Sequence, residues 1–143
     1  MNETPVYTGT LAEARAEGQL QQWKDSFQAN IQCRLAIESE IRRSFDGMYL
    51  ASGCAERIVE QFGFKRVQYV LAATLQEKDY DGRFSRSNKD WGTKTNVPAD
   101  ARNTQFVVES HPAVLDGFIS QFRELQQGQQ VDSSCLFFAP TMG

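Results

Sequence analysis

A chain of 143 residues is long enough for one domain with a buried core. Its net charge of −3 argues against a generally basic nucleic-acid binder and against a strongly acidic mimic of DNA. One histidine and three widely spaced cysteines argue against a zinc site and a disulfide framework. Because no apolar run could cross a bilayer and the start lacks a signal peptide, we expect a cytoplasmic protein without membrane contact, metal or cofactor.

Helical signals fill the first half of the chain. Thr10 and Glu13 have the spacing of a capping box, which predicts a short helix that Gly18 ends. From Gln19 onward, apolar residues recur at steps of three and four. This pattern predicts one long amphipathic helix that ends at the turn signal Asp46-Gly47.

Two further helices are predicted before residue 78. Ser52 is a candidate N-cap for the first, which ends at Gly63, and the second runs from Phe64 to about Glu77. Two cysteines beside apolar faces are expected to be buried: Cys33 and Cys54. Five basic residues are expected on solvated helix faces: Arg34, Arg42, Arg43, Lys65 and Arg66.

Helical periodicity is lost for roughly 25 residues after Lys78, a length typical of a functional loop. Gln105–Val108 then forms a candidate short extended segment, and Ser110-His111-Pro112 starts a last helix. The predicted fold class is mainly α, a single compact helical domain with a long ordered loop and a short β segment. The domain covers residues 1–127, and residues 128–143 are predicted to form a flexible C-terminal tail.

The segment from Lys78 to Lys94 is the richest candidate for a site. It holds five cations against three aspartates, so positive charge is concentrated here although the chain is acidic overall. Cations interleaved with aromatic rings are typical of surfaces that bind single-stranded nucleic acid and of protein hot spots. The candidate binding residues are Lys78, Tyr80, Arg83, Phe84, Arg86, Lys89, Trp91 and Lys94.

The same segment also has a structural interpretation, which the sequence leaves open. Asp81-Gly82 is a turn signal, and Asn88 can cap the backbone. The aspartates can pair with neighbouring arginines while the aromatic rings cover the helical core. Between a recognition surface and an active site, the composition favours the recognition surface.

His111 is the only candidate catalytic residue. Together with a cation from the loop it can act as general acid or base in metal-independent cleavage of RNA. The alternative is that Ser110 or His111 caps the last helix. The sequence favours that alternative, because a single histidine without a second base is thin evidence for catalysis.

Four segments together carry a resemblance to a family: PVYTGTLAEARAEGQLQQW, NIQCRLAIESEIRRSFDGMYL, FGFKRVQYVLAATLQEKDYDGRFSRSNKDW and VVESHPAVLDGFISQFRE. In order and spacing, over roughly residues 5 to 125, they resemble a small domain of unknown function. That domain occurs in proteins of bacterial conjugative plasmids and integrative elements, which carry proteins that disarm host defences.

The resemblance implies an accessory protein of a mobile element that counteracts host defence. The leading hypothesis is an anti-CRISPR protein that inhibits a Cas9-type nuclease by binding the nuclease or its guide RNA, with the Lys78–Lys94 segment as the contact. Two other hypotheses remain open. One is a small metal-independent RNA-cleaving enzyme that uses His111, and the other is a non-catalytic interaction domain of plasmid proteins.

Overall fold

The computed structural model describes residues 4–76, 84–99 and 114–128. In these ranges the protein is a single compact helical domain without a strand, which confirms the predicted fold class. The helices are α1 (Leu11–Ala16), α2 (Leu20–Ser44), α3 (Cys54–Phe62), α4 (Phe64–Leu75), α5 (Arg86–Gly92) and α6, described over 114–128. The predicted β segment at 105–108, the start of the last helix and the tail from residue 129 lie outside the described residues.

The start of the fold follows the local sequence signals. Thr10 and Glu13 form the predicted capping box, in which the Glu13 N–H donates to Thr10 Oγ1 at 3.0 Å and the Thr10 N–H donates to Glu13 Oε1 at 2.8 Å. Gly18 has φ +70°, a left-handed conformation that glycine adopts without strain, and the chain turns there into α2.

The start of α3 differs from the prediction by one residue. Its N-cap is Gly53 rather than Ser52, and Gly53 has φ +88°. The chain must pass through a left-handed conformation directly before Cys54, which a serine adopts only with strain. The backbone requirement therefore outweighs the usual preference for a hydroxyl side chain at this position.

The central element is α4, which is buried on two sides. One side joins the main core, where Val67, Leu71 and Leu75 meet apolar residues of α2, α3 and α6. The opposite side presents Tyr69 and Ala72 to a smaller cluster that includes Val97 and is covered by Val6. The segment after α5 and the segment before α1 thus both pack against α4.

Arg66 was expected on a solvated face, and the structure shows the reverse: only 2% of the residue is exposed. Its guanidinium donates to the Ser26 carbonyl at 3.1 Å and to Asn30 Oδ1, both on α2. It also donates to the carbonyls of Thr4 at 2.7 Å and Pro5 at 3.0 Å. All of these acceptors are neutral, and burial lowers the pKa of the Arg66 guanidinium from its usual value.

The two cysteines of the described helices are buried, as predicted. Burial raises the pKa of the Cys33 thiol to about 12, so the nucleophilic thiolate is not populated at neutral pH. The Cys54 thiol donates to the Ala51 carbonyl at 3.0 Å at the start of α3. Both residues therefore serve packing rather than chemistry.

We predict that Arg66→Met lowers the free energy of unfolding by about 3 kcal/mol, because it removes the guanidinium donor from the buried Asn30 amide oxygen and from the carbonyls of Thr4 and Pro5. Denaturant unfolding followed by circular dichroism measures the change. The control is Lys65→Met, which removes a cation from the exposed neighbouring position. An equal loss of stability in both variants would contradict the assigned contribution of the buried guanidinium.

Candidate functional site

The structure places five of the eight predicted binding residues. These are Phe84, Arg86, Lys89, Trp91 and Lys94. The other predicted site residues lie outside the described residues, and their roles stay predictions: Lys78, Tyr80, Arg83 and His111.

Part of the predicted long loop is a helix, α5. Ser85 caps it by accepting the Asn88 N–H at 3.2 Å. Sequence periodicity missed α5 because its seven residues make only about two turns, too few for an apolar pattern to repeat.

A polar network fixes α5 on α6. The Asp116 carboxylate accepts from the Ser85 N–H at 3.1 Å and from the Asn88 side-chain amide at 2.8 Å. From the next turns of α6, Arg123 donates to Ser87 Oγ at 2.8 Å and to Asn88 Oδ1 at 2.9 Å. Since Asn88 is fully buried, these partners satisfy a polar group that would otherwise be costly to bury.

Two of the predicted aromatic anchors face the domain interior. Phe84 is buried in the main core, and the Trp91 ring packs edge-on against Phe122 with the ring centroids 5.8 Å apart. The Arg123 guanidinium lies 5.9 Å from the Trp91 ring centroid, in cation–π range. In this conformation the two rings cover the core, as the structural interpretation of the segment predicted.

The outer surface of this region is cationic. The Arg86 side chain is 91% exposed and lies only loosely beside Asp90, with the closest nitrogen and oxygen 3.8 Å apart. Lys94 is also exposed, and Lys89 is half-buried. The described part of the segment therefore offers positive charge without stacking rings, which suits an acidic surface or phosphates better than bases.

Close contact between α5 and α4 depends on Gly92. A Cβ atom at this position would lie 2.7 Å from both Cβ and Cδ1 of Leu75, far inside van der Waals contact. The absence of a side chain thus lets the end of α5, with Trp91, reach the core.

A second surface feature was not predicted from the sequence: Met48 and Tyr49 stand in the turn between α2 and α3 with 74% and 71% of each residue exposed. Asp46 Oδ1 accepts the N–H of Met48 at 2.9 Å and of Tyr49 at 2.8 Å. These two hydrogen bonds lower the pKa of the Asp46 carboxyl, the one from Tyr49 most strongly. A backbone bridge between Phe45 and Leu50 closes the turn.

A buried carboxylate on α2 also stabilises the position of the turn. Glu40 of α2 accepts from Arg57 of α3 at 2.7 Å and from Ser44 at 3.0 Å, and it also pairs with Arg43. Burial raises the pKa of Glu40, but these hydrogen bonds outweigh it and hold the pKa below its usual value. Because α2 and α3 are joined on both sides of the turn, Met48 and Tyr49 are presented on a fixed backbone.

The described residues contain neither a group of three or more histidine, cysteine or acidic side chains able to hold a metal ion, nor a helix able to span a membrane. The described residues do form two exposed surface features. One is the cationic side of α5, and the other is the Met48–Tyr49 turn.

We predict that Gly92→Ala destabilises the protein by about 1–3 kcal/mol, because the new methyl group must displace Leu75. Gly117→Ala is the matched control, since a Cβ there meets no atom within 4 Å and alanine is the better helix former. Thermal and denaturant unfolding of the two variants should therefore change in opposite directions. A stabilising Gly92→Ala change would rule out the close packing described.

No curated protein and no solved structure matches the chain. One family model does, and its match extends over residues 6–127, close to the span of the resemblance in the sequence. The family is described as "Protein of unknown function (DUF3849)". Since the match covers most of the chain, including α1 to α5 and all but the last described residue of α6, the protein belongs to the DUF3849 family.

Proposed function

We propose that this domain acts by binding another protein, with Met48 and Tyr49 as the anchoring side chains. The observation that carries the proposal is their shared exposure on a turn fixed by the Asp46 carboxylate. Tyrosine and methionine are enriched in protein interfaces relative to the rest of the surface. An ordered turn also loses little conformational entropy on binding, so more of the contact energy remains as affinity.

The cationic side of α5 supports an electrostatic contribution to the same function. With Phe84 and Trp91 turned inward, the described part of this surface lacks the ring platforms on which single-stranded nucleic acid stacks. An acidic protein surface fits it better, with Arg86 and Lys94 accelerating association. Contact with RNA through the predicted residues outside the described ranges stays a prediction.

The narrower proposal is that the partner is a host defence nuclease of the Cas9 type, in the cytoplasm of a bacterial host. Its support is the resemblance to domains of conjugative plasmids and integrative elements, whose accessory proteins include nuclease inhibitors. A small domain with a fixed apolar contact can inhibit by occupying a surface that the nuclease needs. This mode of action requires no catalytic residue in the inhibitor.

The general proposal predicts a specific covalent adduct when Tyr49 is replaced by the photoreactive residue benzoylphenylalanine. In the cells that naturally make the protein, illumination should yield one adduct of defined mass, because the aromatic anchor contacts the partner. The control carries the same residue at Leu35, which is 45% exposed on α2, away from the turn. Adducts at Leu35 with none at Tyr49 would contradict the proposed contact.

The nuclease proposal predicts that the purified protein prevents DNA cleavage by a Cas9–guide complex while the guide RNA stays intact on a denaturing gel. Replacing Met48 and Tyr49 by serine should weaken inhibition by about tenfold or more, because both apolar anchors are lost. Leu35→Ser should inhibit like the unmodified protein. Shortened guide RNA would favour the enzyme hypothesis instead, and undiminished cleavage would eliminate Cas9 as the target.

A further inference from the structure

A groove runs between α6 and the segment that joins α2 to α3. One half has a volume of about 420 Å³ and is lined by Met48, Tyr49 and Leu50 opposite Gly117. The other half, of about 490 Å³, is lined by Leu50 and residues at the start of α3 opposite Leu125. Leu50 lines both halves, and between them the Gln121 side chain of α6 donates to the Ala51 carbonyl at 3.0 Å. A segment that occupies both halves must therefore replace this solvent-accessible hydrogen bond.

One face of α6 forms a full wall of this groove. Its lining residues recur at three- and four-residue steps: Val114, Gly117, Gln121, Glu124 and Leu125. At 1.5 Å per residue this wall is roughly 16 Å long, about three helical turns. Asp116 and Arg123, which hold α5, lie on a different face of α6, so α5 does not occupy the groove.

Gly117 is an unusual residue for this wall. Glycine in a helix interior is less stable than alanine. No close contact explains the glycine here, because a Cβ atom at this position would meet no atom within 4 Å. The packing of the described residues thus does not require a glycine. A glycine in a groove wall lets the backbone of a bound segment approach α6 closely.

The second half of the groove is acidic. Glu56 of α3 and Glu124 of α6 are both exposed and stand on opposite walls. A half-exposed cation, Arg57, also lies beside Gly53, where its Nε and Nη2 are engaged by the buried Glu40 carboxylate. The two exposed carboxylates still outnumber it. A segment with apolar side chains and cations therefore matches the groove in both polarity and charge.

We propose that this groove binds a positively charged amphipathic helix of the protein partner. The apolar face of that helix contacts Leu50 and Leu125, and its lysines or arginines pair with Glu56 and Glu124. The inference rests on the proposed protein-binding function and names the chemistry of the partner segment. It extends the contact from the Met48–Tyr49 turn along α6.

The test uses the full chain and two fluorescent peptides of about fourteen residues, enough to span the wall as a helix. One peptide contains leucine and lysine with helical apolar spacing, and the other has glutamate in place of every lysine. Fluorescence anisotropy should detect binding of the lysine peptide alone. In nitrogen-15 correlation spectra, the lysine peptide should shift the amide signals of Gly53 and Gly117.

Three variants locate the binding. Gly117→Leu should weaken it by about tenfold or more, because the side chain fills the groove, while circular dichroism confirms the fold. The double change Glu56→Gln and Glu124→Gln should weaken it and reduce its dependence on salt. Glu17→Gln removes an exposed carboxylate at the end of α1 and should leave binding unchanged.

Equal binding of both peptides, or binding insensitive to Gly117→Leu, would overturn the proposed groove. If cross-linking through position 49 still succeeds, only the groove assignment fails and the protein-binding function stands. The test also distinguishes a second occupant, the chain's own apolar segment Leu136–Phe138. A shift of the Gly53 and Gly117 signals when these three residues are replaced by serine would identify that segment as the occupant and refute the proposal.

Discussion

The fold depends on the buried guanidinium of Arg66. Its acceptors among the described residues are all neutral, so no ion pair within that part of the chain offsets the cost of removing this cation from water. Only simultaneous contacts with α2 and with the segment at residues 4–5 satisfy its donors. Arg66 therefore joins α4, α2 and the segment at residues 4–5. These polar contacts position α4 at the centre of the domain, in addition to the packing of its two apolar sides.

Three faces of α6 make different contacts. One face buries apolar residues such as Phe118 and Phe122 in the core. A second face uses Asp116 and Arg123 to hold α5, and a third lines the groove beside the Met48–Tyr49 turn. The residues that hold α5 and those that line the groove are thus on separate faces of one helix, whereas Val114 and Leu125 both line the groove and pack with the core.

Much of the helical architecture could be predicted from the sequence, because local signals and apolar periodicity determine elements such as α1 and α2. The positions that escaped prediction depend on tertiary partners. Arginine is usually a surface residue, and the burial of Arg66 depends on acceptors that lie 36 to 62 positions away in the sequence. The exposure of Met48 and Tyr49 also requires the packed structure, although two large apolar residues after the Asp46-Gly47 turn were a usable signal.

The contacts of Arg66 also bear on where the domain begins. The family match starts at residue 6, yet the guanidinium takes two of its acceptors from the carbonyls of Thr4 and Pro5. The hydrogen-bonded structure therefore extends upstream of the boundary that sequence similarity defines. Because those two contacts are made by backbone carbonyls, they do not specify the side chains of residues 4 and 5, so sequence similarity does not register them.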